Sequence, residues 1–217
     1  MTQPHLLDQP ARRFYKPLIS VLVLFALIGI VSSLNQDDWV AYSLHQISTV
    51  AAIAGLLLVI HQFRARLISA IMASAFVVIH MIGAAYLYSY VPYNEVVLSL
   101  IGFNIDQTFG FERNMYDRLV HFSYGLLLYP LMSDAYRSLY KTSGLALVWV
   151  VLMTNMAGSM LYEVIEWQIG VNFSEGSAEN YNGQQGDIWD AQKDMLIALV
   201  GGGLGALIPR FRQAKAK

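Results

Sequence analysis

The chain has 217 residues, of which 56% are hydrophobic and only 13% charged, and its mean hydropathy is +0.45. That composition lies outside the usual range for a soluble domain of this size and implies a multi-pass membrane protein. The net charge of −1, with no basic stripe long enough to follow a phosphate backbone, excludes nucleic-acid binding, and the lack of cysteine excludes a disulfide framework and a thiolate metal site.

Residues 1–16 are polar, and Arg12, Arg13 and Lys16 stand just before the apolar run 17–34. That run reaches about 27 Å as a helix, enough to span, and no small-residue cleavage site closes it, so it reads as an uncleaved first transmembrane helix. A second helix is expected over 39–60, a basic turn over 61–66, and a third helix over 67–90, ahead of Pro92. The connection 92–115 holds Glu95, Asp106 and Glu112, and its apolar piece 96–105 is too short to span, so it reads as interfacial or re-entrant. Tyr86, Tyr88, Tyr90 and Tyr93 read as an interfacial aromatic belt. The remaining expected helices are 117–132, 145–167 and 188–208, separated by a basic turn, 134–141, and a polar loop, 168–186. A basic tail, 210–217, follows the six-helix transmembrane domain 17–209.

Six spans put both termini on one side, and the placement of basic residues says which. The N-terminus, the turns 61–66 and 134–141 and the tail hold eleven of the 14 Lys and Arg residues, so these segments are expected in the cytoplasm. The same assignment puts 13 of the 15 acids outside, all except Asp8 and Asp134. No orientation rule demands that acidic bias, so a site is the natural cause.

The acids of three helices then fall at one membrane depth. Asp117 and His121 are four apart and share a helix face, at the mouth of an apolar run. Asn155, Ser159, Tyr162, Glu163 and Glu166 make a polar stripe at helical spacing, and Asp190 and Asp194 continue into Ala198, Gly201 and Gly205, a small-residue packing face. His45 and His80 fall in the outer half of their helices, and Asp187 just precedes the sixth. Taken singly, Asp117, Asp187 and Asp190 could be charges meeting helix dipoles, and His45 and His80 satisfied core histidines. Glu163 and Glu166 resist that reading, because they stand at a helix C-terminus, where the dipole disfavours anions. Carboxylates this crowded need a positive partner, either Arg118 and Lys193 or a divalent metal ion. Carboxylate with imidazole suits Zn, Mn or Fe, and carboxylate with amides and water suits Mg or Ca.

With Asp117-Arg118-x-x-His121-Phe122, Glu163-x-x-Glu166-Trp167 and Gly186-Asp187-x-x-Asp190-x-x-x-Asp194, the chain resembles the YjdF-type bacterial inner-membrane proteins over most of its length. Over its second half it more distantly resembles VanZ-like membrane proteins, with Arg118, Glu166 and Asp194 where those carry Lys, Gln and Asn. The resemblance implies an inner-membrane address and a shared polar site, and brings no reaction with it.

The sequence therefore predicts an all-α, six-helix protein of the bacterial inner membrane, with a metal-binding site open to the periplasm. Asp117, His121, Glu163, Asp190 and Asp194 are the expected ligands, with His45, His80 and Asp187 as further candidates. Glu166, as general base on bound water, and Arg118 are the expected catalytic residues of a hydrolase or transferase acting on a lipid or envelope substrate among the membrane lipids. The alternative is a non-enzymatic binding or transport protein that uses the same acids for a cation or protons. A scaffold would leave the buried acids unexplained.

Overall fold

A computed structural model describes residues 19–20, 22–27, 29–31, 34, 38–63, 65–173 and 175–208. The expected 1–16 segment and 210–217 tail lie outside these, as does part of the expected first span. The described residues form helices and turns, with no strand among them: α1 (Leu22–Val31), α2 (Trp39–Phe63), α3 (Leu67–Ala85), α4 (Tyr93–Ile101), α5 (Ile105–Phe109), α6 (Tyr116–Tyr140), α7 (Gly144–Asn172), α8 (Glu175–Asn182) and α9 (Asp190–Leu207). Three are long and apolar enough to cross a membrane, α2 over Trp39–Ile60, α3 and α7. Charge lowers the hydropathy of two others, α6 through Asp117, Arg118, Asp134 and Arg137, and α9 through Asp190, Lys193 and Asp194.

Local chemistry sets the helix ends. Asp38 caps α2 by accepting the Val40 and Ala41 N–H groups, both at 3.0 Å. α3 stops at Ala85, short of the expected Tyr90, because Leu87 and Tyr88 take positive φ values of 47° and 54° and the Tyr88 N–H turns back to the Gly83 carbonyl at 2.8 Å. The Tyr88 ring lies over Gly83, where a Cβ would approach within 2.9 Å of it. Tyr88 is therefore buried in the bundle and does not belong to the expected aromatic belt, whereas Tyr86 and Tyr90 are exposed. α6 passes through Pro130 and the expected 134–141 turn to its cap at Lys141. Buried Asp134 anchors that extension by accepting from the Arg66 Nε at 2.7 Å, the Arg66 backbone N–H at 2.9 Å and the Ser69 hydroxyl at 2.6 Å. α4 buries no residue and leaves Val96, Leu98, Leu100 and Ile101 exposed, too short an apolar helix to span.

The bundle is built around α6, which packs most extensively on α9 and then on α3, α7 and α2. A Cβ on Gly125 would overlap the Ala198 carbonyl, and one on Gly201 the Phe122 carbonyl, so the α6 and α9 backbones touch. The contacts advance together, Gly125 with Gly202 and then Tyr129 with Gly205, so the two helices run parallel and begin at the same end. α7 runs antiparallel to them, with Glu163 near His121 and Thr154 on Tyr136.

Candidate functional site

The backbone contact of α6 with α9 brings Asp117, Arg118 and His121 against Asp190 and Asp194, and antiparallel α7, which continues past the expected end at 167 to Asn172, passes beside them with Glu163 and Glu166. All seven side chains are buried, Asp194 completely. Arg118 is the hub. Its Nη2 donates to the Asp190 carboxylate at 2.5 Å and to Asp187 at 3.2 Å, and its Nη1 donates to Asp194 and lies 3.6 Å from Asp117. Arg113 adds a second cation, donating to Asp190 at 2.7 Å and to the Gln184 carbonyl at 2.6 Å. Planar, forked guanidinium groups suit this bridging of several carboxylates.

On the polar side the site is closed by two interlocked loops. Asn114 and Gln185 exchange hydrogen bonds between backbone and side chain at 2.9 and 3.1 Å, and the Asn114 amide also donates to the Val91 carbonyl at 2.9 Å. Asp187 stands in the turn ahead of α9. There the Lys193 ammonium, at 2.7 and 2.9 Å, and the Trp189 N–H, at 3.1 Å, hold its carboxyl down at about 2. It stays ionised from neutral pH down to about 2, and any stability it contributes is lost only as the pH falls through that value.

Asp117 and Glu163 accept no hydrogen bond from a lysine or arginine among the described residues, and Asp194 does so through one oxygen only. His121 Nε2 lies 3.6 Å from an Asp117 oxygen and 3.7 Å from Glu163 Oε1. Glu163 Oε1 and Asp194 Oδ1 have no hydrogen-bond partner among the described residues, nor do Ser159 Oγ and the Asn155 amide atoms. Asp117, His121 and Asp194 each offer one ligand atom, and these lie within 4.8 Å of one another. Ligand atoms on one ion with bonds of about 2.1 Å stand about 3.4 Å apart in a tetrahedron, so atoms within 4.8 Å of one another would have to close by up to about 1.4 Å to hold one. The donors are carboxylate and imidazole, a fit for Mn, Fe or Zn.

Of the residues expected in the site from sequence, Asp117, His121, Glu163 and Asp194 come together on one side of Arg118. Asp190 turns to the two arginines, and Asp187 to Lys193 and Arg118. Glu166 follows Glu163 by one turn of α7, and both side chains are buried. His45 and His80 form a neighbouring aromatic layer apart from the carboxylates. His45 stacks between Tyr88 and Tyr181, with ring centroids at 5.1 and 4.6 Å, while His80 binds the Tyr88 hydroxyl through Nδ1 and meets Thr49 Oγ1 at 3.2 Å through Nε2. Sequence reasoning missed Arg113. One signal was available, because Arg113, Arg118 and Lys193 are the basic residues left on the acidic side once the eleven cytoplasmic ones are removed.

A family model described as "Predicted membrane protein (DUF2238)" matches residues 17–215. The chain is 30% identical over 193 residues to the inner membrane protein YjdF of Escherichia coli strain K12, covering 87% of this chain and 88% of that protein. No solved structure matches. These matches agree with the YjdF-type resemblance of the motifs, whereas the VanZ-like resemblance gains no support from them. Together with helices apolar enough to span a bilayer, they assign the chain to the bacterial inner membrane. Matched over nearly its whole length, the chain belongs to the DUF2238 family of predicted membrane proteins.

Proposed function

We propose that this is a six-span inner-membrane protein, both termini cytoplasmic, whose periplasmic end holds one divalent cation and acts as a hydrolase or transferase on a lipid or envelope substrate. The observation that carries the reading is the group Asp117, His121 and Asp194, buried and within 4.8 Å, with a free oxygen on Asp194. Buried carboxylates are stable only when paired, protonated or metal-bound, and the two arginines are already committed to Asp190, Asp194 and Asp187. Asp117, Asp194 and His121 would hold the ion, with Glu163 next in reach. A bound ion would supply Lewis acidity at this end of the bundle. Glu166, buried one turn on from Glu163, would act as general base on bound water, and Arg118, which donates to Asp194, would orient that carboxylate.

The rival reading, a transporter of cations or protons, wants polar groups continuing towards the other end of the bundle. Inward of His121 lie the apolar clusters around Leu128, Leu131, Leu147 and Val151; Asn155 and Ser133 are buried there as well, but α6 carries no charged residue between Arg118 and Asp134, which favours a one-sided site.

Elemental analysis of the purified, detergent-solubilised protein tests the proposal. The expectation is about one divalent transition metal per chain, mostly lost in Asp117→Asn and in His121→Ala, with Asp38→Asn unchanged. Stoichiometric metal retained in both site variants would reject the site.

A further inference from the structure

A cavity of about 650 Å³ lies directly inward of this centre, walled by α2, α3, α6 and α7. Its volume is within the roughly 300–1,000 Å³ typical of ligand pockets. His80, Tyr88, His121, Ser159 and Tyr162 line one end, and Leu56, Val59, Val77, Leu128, Leu131 and Leu139 furnish most of the rest. Rim residues Ala51 and Gly55 on α2 and Ile165 on α7 are exposed, so the mouth opens sideways between α2 and α7, two apolar helices that do not pack extensively on one another. Interlocked loops close the aqueous side of the carboxylates, whereas His121 borders both them and the cavity. Ser159 is 2% exposed, and its hydroxyl lines the cavity with no hydrogen-bond partner among the described residues.

We infer that the cavity takes an acyl chain of a bilayer glycerolipid, entering laterally between α2 and α7, with the lipid's polar part presented to Ser159, Tyr162 and His121. A mouth flanked by two membrane-apolar helices faces hydrocarbon, and a largely apolar cavity of this size in a bilayer is filled by chains at little desolvation cost. The polar end supplies a hydroxyl, a phenol and an imidazole where a head group joins its chain. The inference deepens the reading above by naming the substrate class.

The test uses full-length protein in nanodiscs doped with a phosphatidylethanolamine carrying a diazirine in its acyl chain. Photolysis followed by peptide mass spectrometry should concentrate label on the cavity walls, on α2 from Ser48 to Val59 and on α6 from Tyr124 to Leu139. Gly55→Trp fills the mouth, and a Cβ at Gly55 meets nothing within 4 Å, so the variant should fold. It should cut cavity labelling by on the order of tenfold, whereas Ile47→Trp, on the exposed face of α2, should not. Uniform labelling of the bundle surface, unchanged in Gly55→Trp, would overturn the inference, as would labelling only by a diazirine polyisoprenyl phosphate run in parallel. Metal content measured on the same samples separates the two readings: cavity label without metal sinks the cation centre alone, and metal without cavity label sinks the acyl site alone.

Discussion

Arg118 carries the heaviest electrostatic burden of any side chain in the site. It bridges Asp187, Asp190 and Asp194 from two nitrogens of a single planar group. Lysine places one charge at one point and cannot reproduce the fork. Arg118→Ala leaves buried acids uncompensated and should cost about 3–5 kcal/mol, while Arg118→Lys should lose part of that. Thermal unfolding in detergent, with Asp194→Asn combined in a double-mutant cycle, measures the coupling; additive losses would show that the pair does not interact. At this scale the sequence was informative about acids and less so about their partners. Asp117 and His121 announced a shared face through i,i+4 spacing, and Glu163 with Glu166 through the polar stripe they continue from Asn155 and Ser159; the expected helix end at these two acids is displaced, because α7 runs on to Asn172. Arg113 sits in a loop, where no periodicity says which way a side chain points. His45 and His80 have the depth expected of ligands, but the positive φ of Tyr88 puts an aromatic ring between them, and no local pattern foretells that.

Between α6 and α9 the decisive feature is the loss of side-chain bulk. Gly201 faces the Phe122 carbonyl of α6, while Gly203, two residues on, faces open space. Gly201→Val should therefore push the helices apart and destabilise the protein by about 1–3 kcal/mol or more. Gly203→Ala should be neutral or stabilise by about 0.5–1 kcal/mol through helix propensity. Thermal melts of both variants check the contrast, and equal effects would mean that α6 and α9 are not in backbone contact. The small-residue stripe made this interface legible in the sequence. The length of α6 was not, because Pro130 and the charges near residue 134 mimic a turn. In the fold that proline is accommodated within the helix, and Asp134 is neutralised by Arg66.

For the whole molecule, the charges that build the site also lower the hydropathy of the helices that carry it. α6 and α9 hold Asp117, Arg118, Asp190 and Asp194, so hydropathy alone finds α2, α3 and α7. The six-span reading rests on the distribution of basic residues and is supported by the parallel course of α6 and α9, which begins both at one end. The chain has no cysteine, so single introduced thiols report topology without background. A cysteine replacing Gln184 should react with an impermeant maleimide in intact spheroplasts, and one replacing Lys141 only after permeabilisation. The reverse pattern would invert the bundle and put the acids in the cytoplasm.

The central claim is that Asp117, His121 and Asp194 share one ion. Anomalous diffraction at the manganese edge, from crystals of the full-length protein grown with Mn²⁺, tests it most directly. The account predicts a single strong peak within about 2.0–2.6 Å of an oxygen of Asp117, the imidazole of His121 and the free oxygen of Asp194. A map with no peak there, with Arg118 still bridging Asp190 and Asp194, would show the cluster to be a closed ion-pair network and contradict the account.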